Sequence, residues 1–531
     1  MKLRPFLAVV LAVALSLLGL GVGGWVLLAR LSPLGLQRQP LTPPALARFV
    51  PRQAPLALYW HTDAERAVAY ARAVAPPRQR RAAADTMAAL RDGAFAAAGL
   101  DYHDELAGWL GSDLALAITD PASADGPSAG WLLALRGRDG EGARRFLQRF
   151  WQTRSLAGLD LQVSRYRGVD LISGRGALLG QDPQPLATAL IGDDLVLIAS
   201  GRTVLERALD ASQIEELHQG SLPALRRALA QADTGVALLV ARPAVLGPLL
   251  GLPLPARNGP ERLVAAMGPR GRGLVLEARF EGGSPPPALA PLQASPLIDQ
   301  LAAAPEALAL LQDPAAQFTD PLVAAWLRPL LARAGAEGPL PLTVAQAAEG
   351  PLLLTSQSHP PAWLLATPAL NPDPAALAPA LAEDGLNQAP LSLEGRRLEV
   401  WSRLGVRPAR GGRPASLQVD LAAARRRDAD VAWWSSDLDG LDRLAQARRS
   451  PQQRRRLEQL QALAWPEAPL QWALGPAEAA QLLAGWQPWR LLTGVAAAPL
   501  VQPVSGLALA AGPQADGWRV RALLQLEDGD G

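Results

Sequence analysis

Apolar positions along this chain change their period several times, and the changes mark out its parts. From Phe6 to Ala29 no residue is charged, with Lys2 and Arg4 ahead of the run and Arg30 behind it. As a helix these 24 residues reach about 36 Å, enough to cross a hydrocarbon core of about 30 Å. A cleaved secretory signal carries a shorter apolar core, about 7 to 15 residues, ending at small residues. Gly21-Val22-Gly23 is the one weak cleavage point, and Trp25 to Leu28 continue the run past it. The pattern therefore predicts an N-terminal transmembrane helix at 6–29 behind a cytoplasmic tip at 1–5. Positive charge on the amino side sets the body outside the cytoplasm, in the periplasm or an internal-membrane lumen.

Past a Pro-rich spacer at 30–50 the period alternates between two and 3.6. Leu56 to Trp60 reads as a strand, and Thr62 with Glu65 has the spacing of a capping box that opens a helix running past Tyr70 toward Pro76. Strands follow at Leu114–Thr119 and Trp131–Leu135 around the polar loop Asp120–Ser128, then a helix from Glu141 to Trp151. A strand pair turns at Gly168, a second pair turns at Gly192-Asp193, and Val204–Leu209 is helical again. Tight turns between neighbouring strands imply antiparallel pairing, since parallel neighbours need a long crossover.

The pattern is then written a second time. Trp131-Leu132-Leu133-Ala134 recurs as Trp363-Leu364-Leu365-Ala366, and Asp194, Ser200, Leu205 and Arg207 recur as Asp430, Ser436, Leu441 and Arg443, each 236 positions on. Met267-Gly268-Pro269 with Gly273 returns as Ala511-Gly512-Pro513 with Gly517. Two repeats are expected, at 51–281 and 297–531, joined by a Pro-rich linker at 282–296. The fold class expected is α+β: the transmembrane helix, then a duplicated domain of mostly antiparallel sheet covered by helices, one sheet per half.

Composition removes more chemistry than the motifs add. Cysteine is absent, which excludes disulfides and thiolate sites, and Lys2 is the sole lysine, which excludes P-loop and Schiff-base lysines from the body. The 51 basic and 49 acidic residues nearly balance, so nucleic-acid binding, which needs a basic face, is not expected. No cofactor and no metal are expected.

Two of the four histidines stand beside carboxylates: His61 with Asp63, and His103 with Asp101 and Asp104. His61, Asp63, His103 and Asp104 are the weak candidates for acid-base or metal chemistry. Against that, Asp63 stands at a helix start and Asp101 to Glu105 opens an amphipathic stretch, where carboxylates favour the helix dipole. In the second half, Gln312 stands where His61 has its counterpart. Gly126 to Gly130 matches G-x-S-x-G, yet Ser128 precedes a strand where a nucleophile elbow needs a strand before it and a helix after. Gly174, Gly176 and Gly180 fail as a dinucleotide loop for want of a following helix. Arginine clusters at 78–81, 425–427 and 448–456 read as solvated helix faces or turns, with anionic lipid as the alternative contact.

The segments Leu56 to Asp63, Leu100-Asp101-Tyr102 through Gly111, and Ile191 through Ser200 resemble a family of membrane-anchored proteins of photosynthetic bacteria, catalogued as a domain of unknown function. The resemblance implies a bacterial, extracytoplasmic, single-anchor protein and implies no catalytic residues. The function expected is non-enzymatic binding or assembly of a protein or apolar ligand, with the membrane reached through 6–29. An envelope hydrolase or metal-dependent enzyme in the first repeat is the rival, and an architectural spacer the third reading.

Overall fold

The computed structural model describes residues 32–526 apart from 120–129, 155–160, 179–182, 233, 243–244, 246, 248–258, 294–296, 299–305, 335–338, 359–360, 394, 408–415, 444–450, 487–488, 491–493 and 495–503. The apolar run at 6–29, Ser128, Gly180 and Arg448-Arg449 lie outside the described residues.

The chain runs β1 (Leu56–His61), α1 (Ala64–Val74), α2 (Arg80–Ala97), a π-helical turn (Tyr102–Leu106), β2 (Leu110–Ile118), β3 (Trp131–Gly137), α3 (Gly140–Arg154), β4 (Gln162–Tyr166), β5 (Val169–Gly176), β6 (Gln184–Ile191) and β7 (Leu195–Ala199). Next come α4 (Arg202–Gln213), α5 (Pro223–Gln231), β8 (Ala237–Ala241), β9 (Arg262–Arg270) and β10 (Gly273–Glu281). The second half follows as β11 (Ala307–Gln312), α6 (Pro321–Ala334), α7 (Leu340–Ala347), β12 (Pro351–Ser358), β13 (Pro361–Pro368), α8 (Pro374–Glu383), β14 (Leu386–Leu393), β15 (Arg396–Arg407), β16 (Ser416–Asp428) and β17 (Val431–Ser435). It closes with α9 (Leu438–Arg443), α10 (Pro451–Ala462), β18 (Leu470–Leu474), α11 (Pro476–Ala484), β19 (Val504–Gln514) and β20 (Gly517–Leu526).

All strand pairs are antiparallel, and the two halves share one order. The first reads β4-β5-β6-β7-β3-β2-β1-β8-β9-β10. The second reads β14-β15-β16-β17-β13-β12-β11-β18-β19-β20. The matched residues perform matched tasks. Ser200 Oγ accepts from Trp131 N at 2.8 Å, and Ser436 Oγ accepts from Trp363 N at 3.1 Å. Leu205 and Leu441 are both buried at the same place on a following helix.

One expectation is corrected. The halves do not carry a separate sheet each: β10 pairs with β20 from Gly273–Gln525 to Glu281–Gly517, which makes one continuous sheet of 20 strands. The physical reason is the edge. Left alone, β10 and β20 would each expose a row of unpaired N–H and C=O groups, and pairing them satisfies both rows at once. The transmembrane helix expected at 6–29 lies outside the described residues, and among those that are described no helix is long and apolar enough to cross a membrane.

Alternation along each strand fills both faces of the sheet. On one face Ala57 and Tyr59 of β1 join Leu197, Leu205, Leu225 and Leu238 in a core closed by α4 and α5. Leu308 and Leu310 of β11 do the same with Leu441 and Leu460, under α9 and α10. On the opposite face Leu133, Leu135 and Val196 pack against Phe146 and Phe150 of α3. Its second-half equivalent is larger, extends to Ala278 and Phe280 of β10, and includes Trp401 and Trp434. Full burial of each leucine, valine or phenylalanine among them stabilises the fold by about 1.5–3 kcal/mol relative to exposure.

Candidate functional site

His61 is the last residue of β1 and lies opposite Asp113 of β2, its register partner. His61 Nδ1 lies 3.2 Å from Asp113 Oδ1, and this hydrogen bond holds the Asp113 carboxyl below the usual carboxylate range. The imidazole is 8% exposed, and its Nε2 is buried with no hydrogen-bond partner among the described residues. Two residues on, the chain turns into α1. Here Asp63, not Thr62, is the N-cap: its Oδ1 accepts from Glu65 N at 2.9 Å, and its other oxygen faces Arg138 at 3.5 Å. Thr62 is too deep to cap and is buried.

His103 belongs to a different group. It sits on the π-helical turn, capped by Asp101, whose Oδ1 accepts from Asp104 N at 2.9 Å. His103 Nε2 is 3.4 Å from Asp92 and 3.2 Å from Arg91, both on α2, and remains largely exposed. Arg91 itself is nearly buried, bonds Glu65 at 2.7 Å and lies 4.0 Å above the Tyr102 ring. Burial, with Glu65 adding to it, pushes the Tyr102 hydroxyl up to about 12.

Asp63 and His103 thus border one ion-paired group that ties α1, α2 and the π-helical turn together, and Asp104 stands at its exposed rim. His61 is engaged elsewhere, with Asp113. Among the described residues there is no group of three His, Cys, Asp or Glu side chains able to hold a metal ion. The chemistry on display is capping and ion pairing.

Other charged features also change meaning. Arg425 and Arg426 lie on β16 rather than on a solvated helix and are buried: Arg425 bonds Glu399 at 2.9 Å and Arg426 bonds Asp428 at 2.7 Å. Gly174 and Gly176 lie within β5. Trp401, Trp433 and Trp434 are core. A groove of about 590 Å³ lies along α1 and α2, lined by Val68, Ala69, Ala73 and Ala84 together with Arg72 and Arg80.

The charged group missed in sequence is at the join of the halves. Glu277 of β10 accepts from Arg519 and, at 3.2 Å, from Arg521 of β20. Glu277 faces Arg521 in register, Arg279 faces Arg519, and the two pairs share one face of the sheet. The available signal was a charged residue at alternate positions, Glu277-x-Arg279 and Arg519-x-Arg521, inside otherwise apolar strands.

These features define an α+β protein built on one long antiparallel sheet, with no assembled catalytic constellation among the described residues. A family model described as "Protein of unknown function (DUF3352)" matches residues 10–526, and the chain belongs to that family. The match does not extend to membrane anchoring or to photosynthetic bacteria. No curated protein matches. Among solved structures, "Structure of crystal form I of TP0453" is 10% identical at a TM-score of 0.27, with 46% of this chain and 80% of that chain covered. "Structure of crystal form III of TP0453" gives 10%, 0.26, 46% and 81%.

Proposed function

We propose that this chain is a non-enzymatic binding protein that docks a protein partner on the arm formed by β15 and β16. The observation that carries the reading is a cluster of apolar side chains in water. Leu404 is 60% exposed, Val419 64% and Leu421 40%. Leu404 and Val419 are opposite each other in register, and Leu421 is two positions along the same face, so the three form one patch. Isolated apolar residues on a surface are ordinary, whereas a contiguous set on a projecting hairpin marks an interaction face. The matched hairpin of the first half, β5 with β6, is shorter and keeps Leu171, Leu186, Ala187 and Ala189 buried.

The reading includes an extracytoplasmic location at a bacterial membrane, supported by the weighting of positive charge to Lys2 and Arg4 ahead of the apolar run. The experiment is site-specific photo-crosslinking in cells from position 419, with Glu216, exposed on the opposite half, as the control position. The expected result is one defined protein adduct from 419 that is lost in Leu404→Lys. Adducts no different from those at 216 overturn the reading.

A further inference from the structure

Where β10 meets β20 the charges do not balance. Arg279, Arg519 and Arg521 share one face of the sheet with two carboxylates, Glu277 and Glu281; both Glu277 oxygens are taken by Arg519 and Arg521, and Glu281 is taken by Arg227. Arg279 is 8% exposed, yet its Nε and Nη1 are buried with no acceptor among the described residues. The Nε atoms of Arg519 and Arg521 are in the same position. A guanidinium offers five N–H donors and no acceptor. Burying it without an anion incurs the full desolvation penalty.

The surrounding groups do not relieve this. On β9 the residues across from Glu277 and Arg279 are Ala266 and Val264. On β19 those across from Arg519 and Arg521 are Gly512 and Ala510. Trp465 lies against Arg519 at 4.8 Å, and the Leu463 carbonyl accepts from Arg521 at 2.7 Å. The next carboxylate along β10, Glu281, is held by Arg227 of α5 at 2.7 Å. The side chains keep an opening to solvent, with Arg519 27% and Arg521 22% exposed.

We infer that the junction of the two halves binds an oxyanion, held by Arg279 with Arg519 and Arg521. Phosphate and carboxylate share the required chemistry: compact negative charge with oxygens that accept several N–H bonds at once. The position is also particular. Glu277 and Arg521 are 244 positions apart, the offset that relates these strands in the two repeats, so the site straddles the axis between the halves. An anion there neutralises both halves together.

The experiment is thermal unfolding of the full chain in inorganic phosphate against sodium chloride of equal ionic strength, with acetate and glycerol 3-phosphate as further arms. Phosphate at about ten times its dissociation constant is expected to raise the folded-to-unfolded ratio about eleven-fold over chloride. Arg279→Gln abolishes that gain. Glu277→Gln lowers stability without phosphate and enlarges the gain, because it removes the competing carboxylate. A gain from acetate alone assigns the site to carboxylates, and a larger gain from glycerol 3-phosphate than from phosphate assigns it to a headgroup-like ester. Equal stability in phosphate, acetate, glycerol 3-phosphate and chloride overturns the inference, as does a phosphate gain that survives in Arg279→Gln. Should Arg279→Gln fail to fold, an unchanged phosphate gain in Glu277→Gln overturns it.

Discussion

The two halves of the sheet run through the same ten-strand order and spend their polar residues differently. In the first half the end of β1 carries His61 against Asp113, and in the second the end of β11 carries Gln312 against Pro351. The first half holds its α1–α2 region with ion pairs around Arg91. The second fills the corresponding face with tryptophan, Trp401 stacked on Trp434 at 5.1 Å. Topology survived where residue chemistry did not. A strand order is fixed by which apolar face each strand must bury, and many side chains satisfy that demand.

The largest test of the comparison is in the cores. Trp434 occupies the place of Ile198, and Trp434→Ala should destabilise the protein by about 3–5 kcal/mol, at or above the loss from Ile198→Ala, by chemical denaturation. Equal small losses would mean that the tryptophan stack is not a core. Next is a pair found in the first half: Arg154, buried, binds Glu105 at 2.6 and 2.8 Å. Glu105→Gln leaves that guanidinium without its counter-charge and should cost about 3 kcal/mol by the same measurement.

A smaller effect separates the capping role of Asp63 from a catalytic one. Asp63→Ala should cost about 1 kcal/mol, and Asp63→Ser should restore most of it, since serine caps as well as aspartate. Failure of serine to restore stability would contradict the capping role. The smallest effect is a pH dependence. Because the Asp113 carboxyl is depressed in the fold by His61, its contribution is present above the unfolded carboxyl pKa of about 4 and is lost as pH falls through the lower folded value. His61→Gln, the residue found in the second half, should flatten stability as pH falls below the unfolded carboxyl value of about 4, and an unchanged acid profile would break the assignment.

Legibility followed the range of the signal. Strands such as β3 and β7, and helices α3 and α4, were readable because their apolar periods are local. The recurrence of Ser200 and Ser436 was readable because each closes the same short hydrogen-bonded contact. Helix α2 was missed: its alanine-rich stretch buries no residue fully, so it has no strong apolar stripe to read. The β10–β20 pairing was missed because its partners are far apart in sequence and no turn connects them. Arg425 and Arg426 were misread as surface, since a run of arginines gives no sign that Glu399 and Asp428 will fold against it. The unpaired Arg279 was hidden for the same reason.

The central claim is that β10 and β20 join the halves into one sheet, and the absence of native cysteine allows a direct test. Ala278 and Val520 are register partners, both buried. Directly opposed strand residues stand about 4.5–5.5 Å apart at Cβ, within reach of a disulfide after a small adjustment. Oxidation of the full chain carrying Ala278→Cys and Val520→Cys should give an intramolecular cross-link in nearly every molecule, while Ala278→Cys with Leu524→Cys, out of register, should give little. Equal cross-linking of the two pairs, or cross-links formed only between chains, would contradict the continuous sheet.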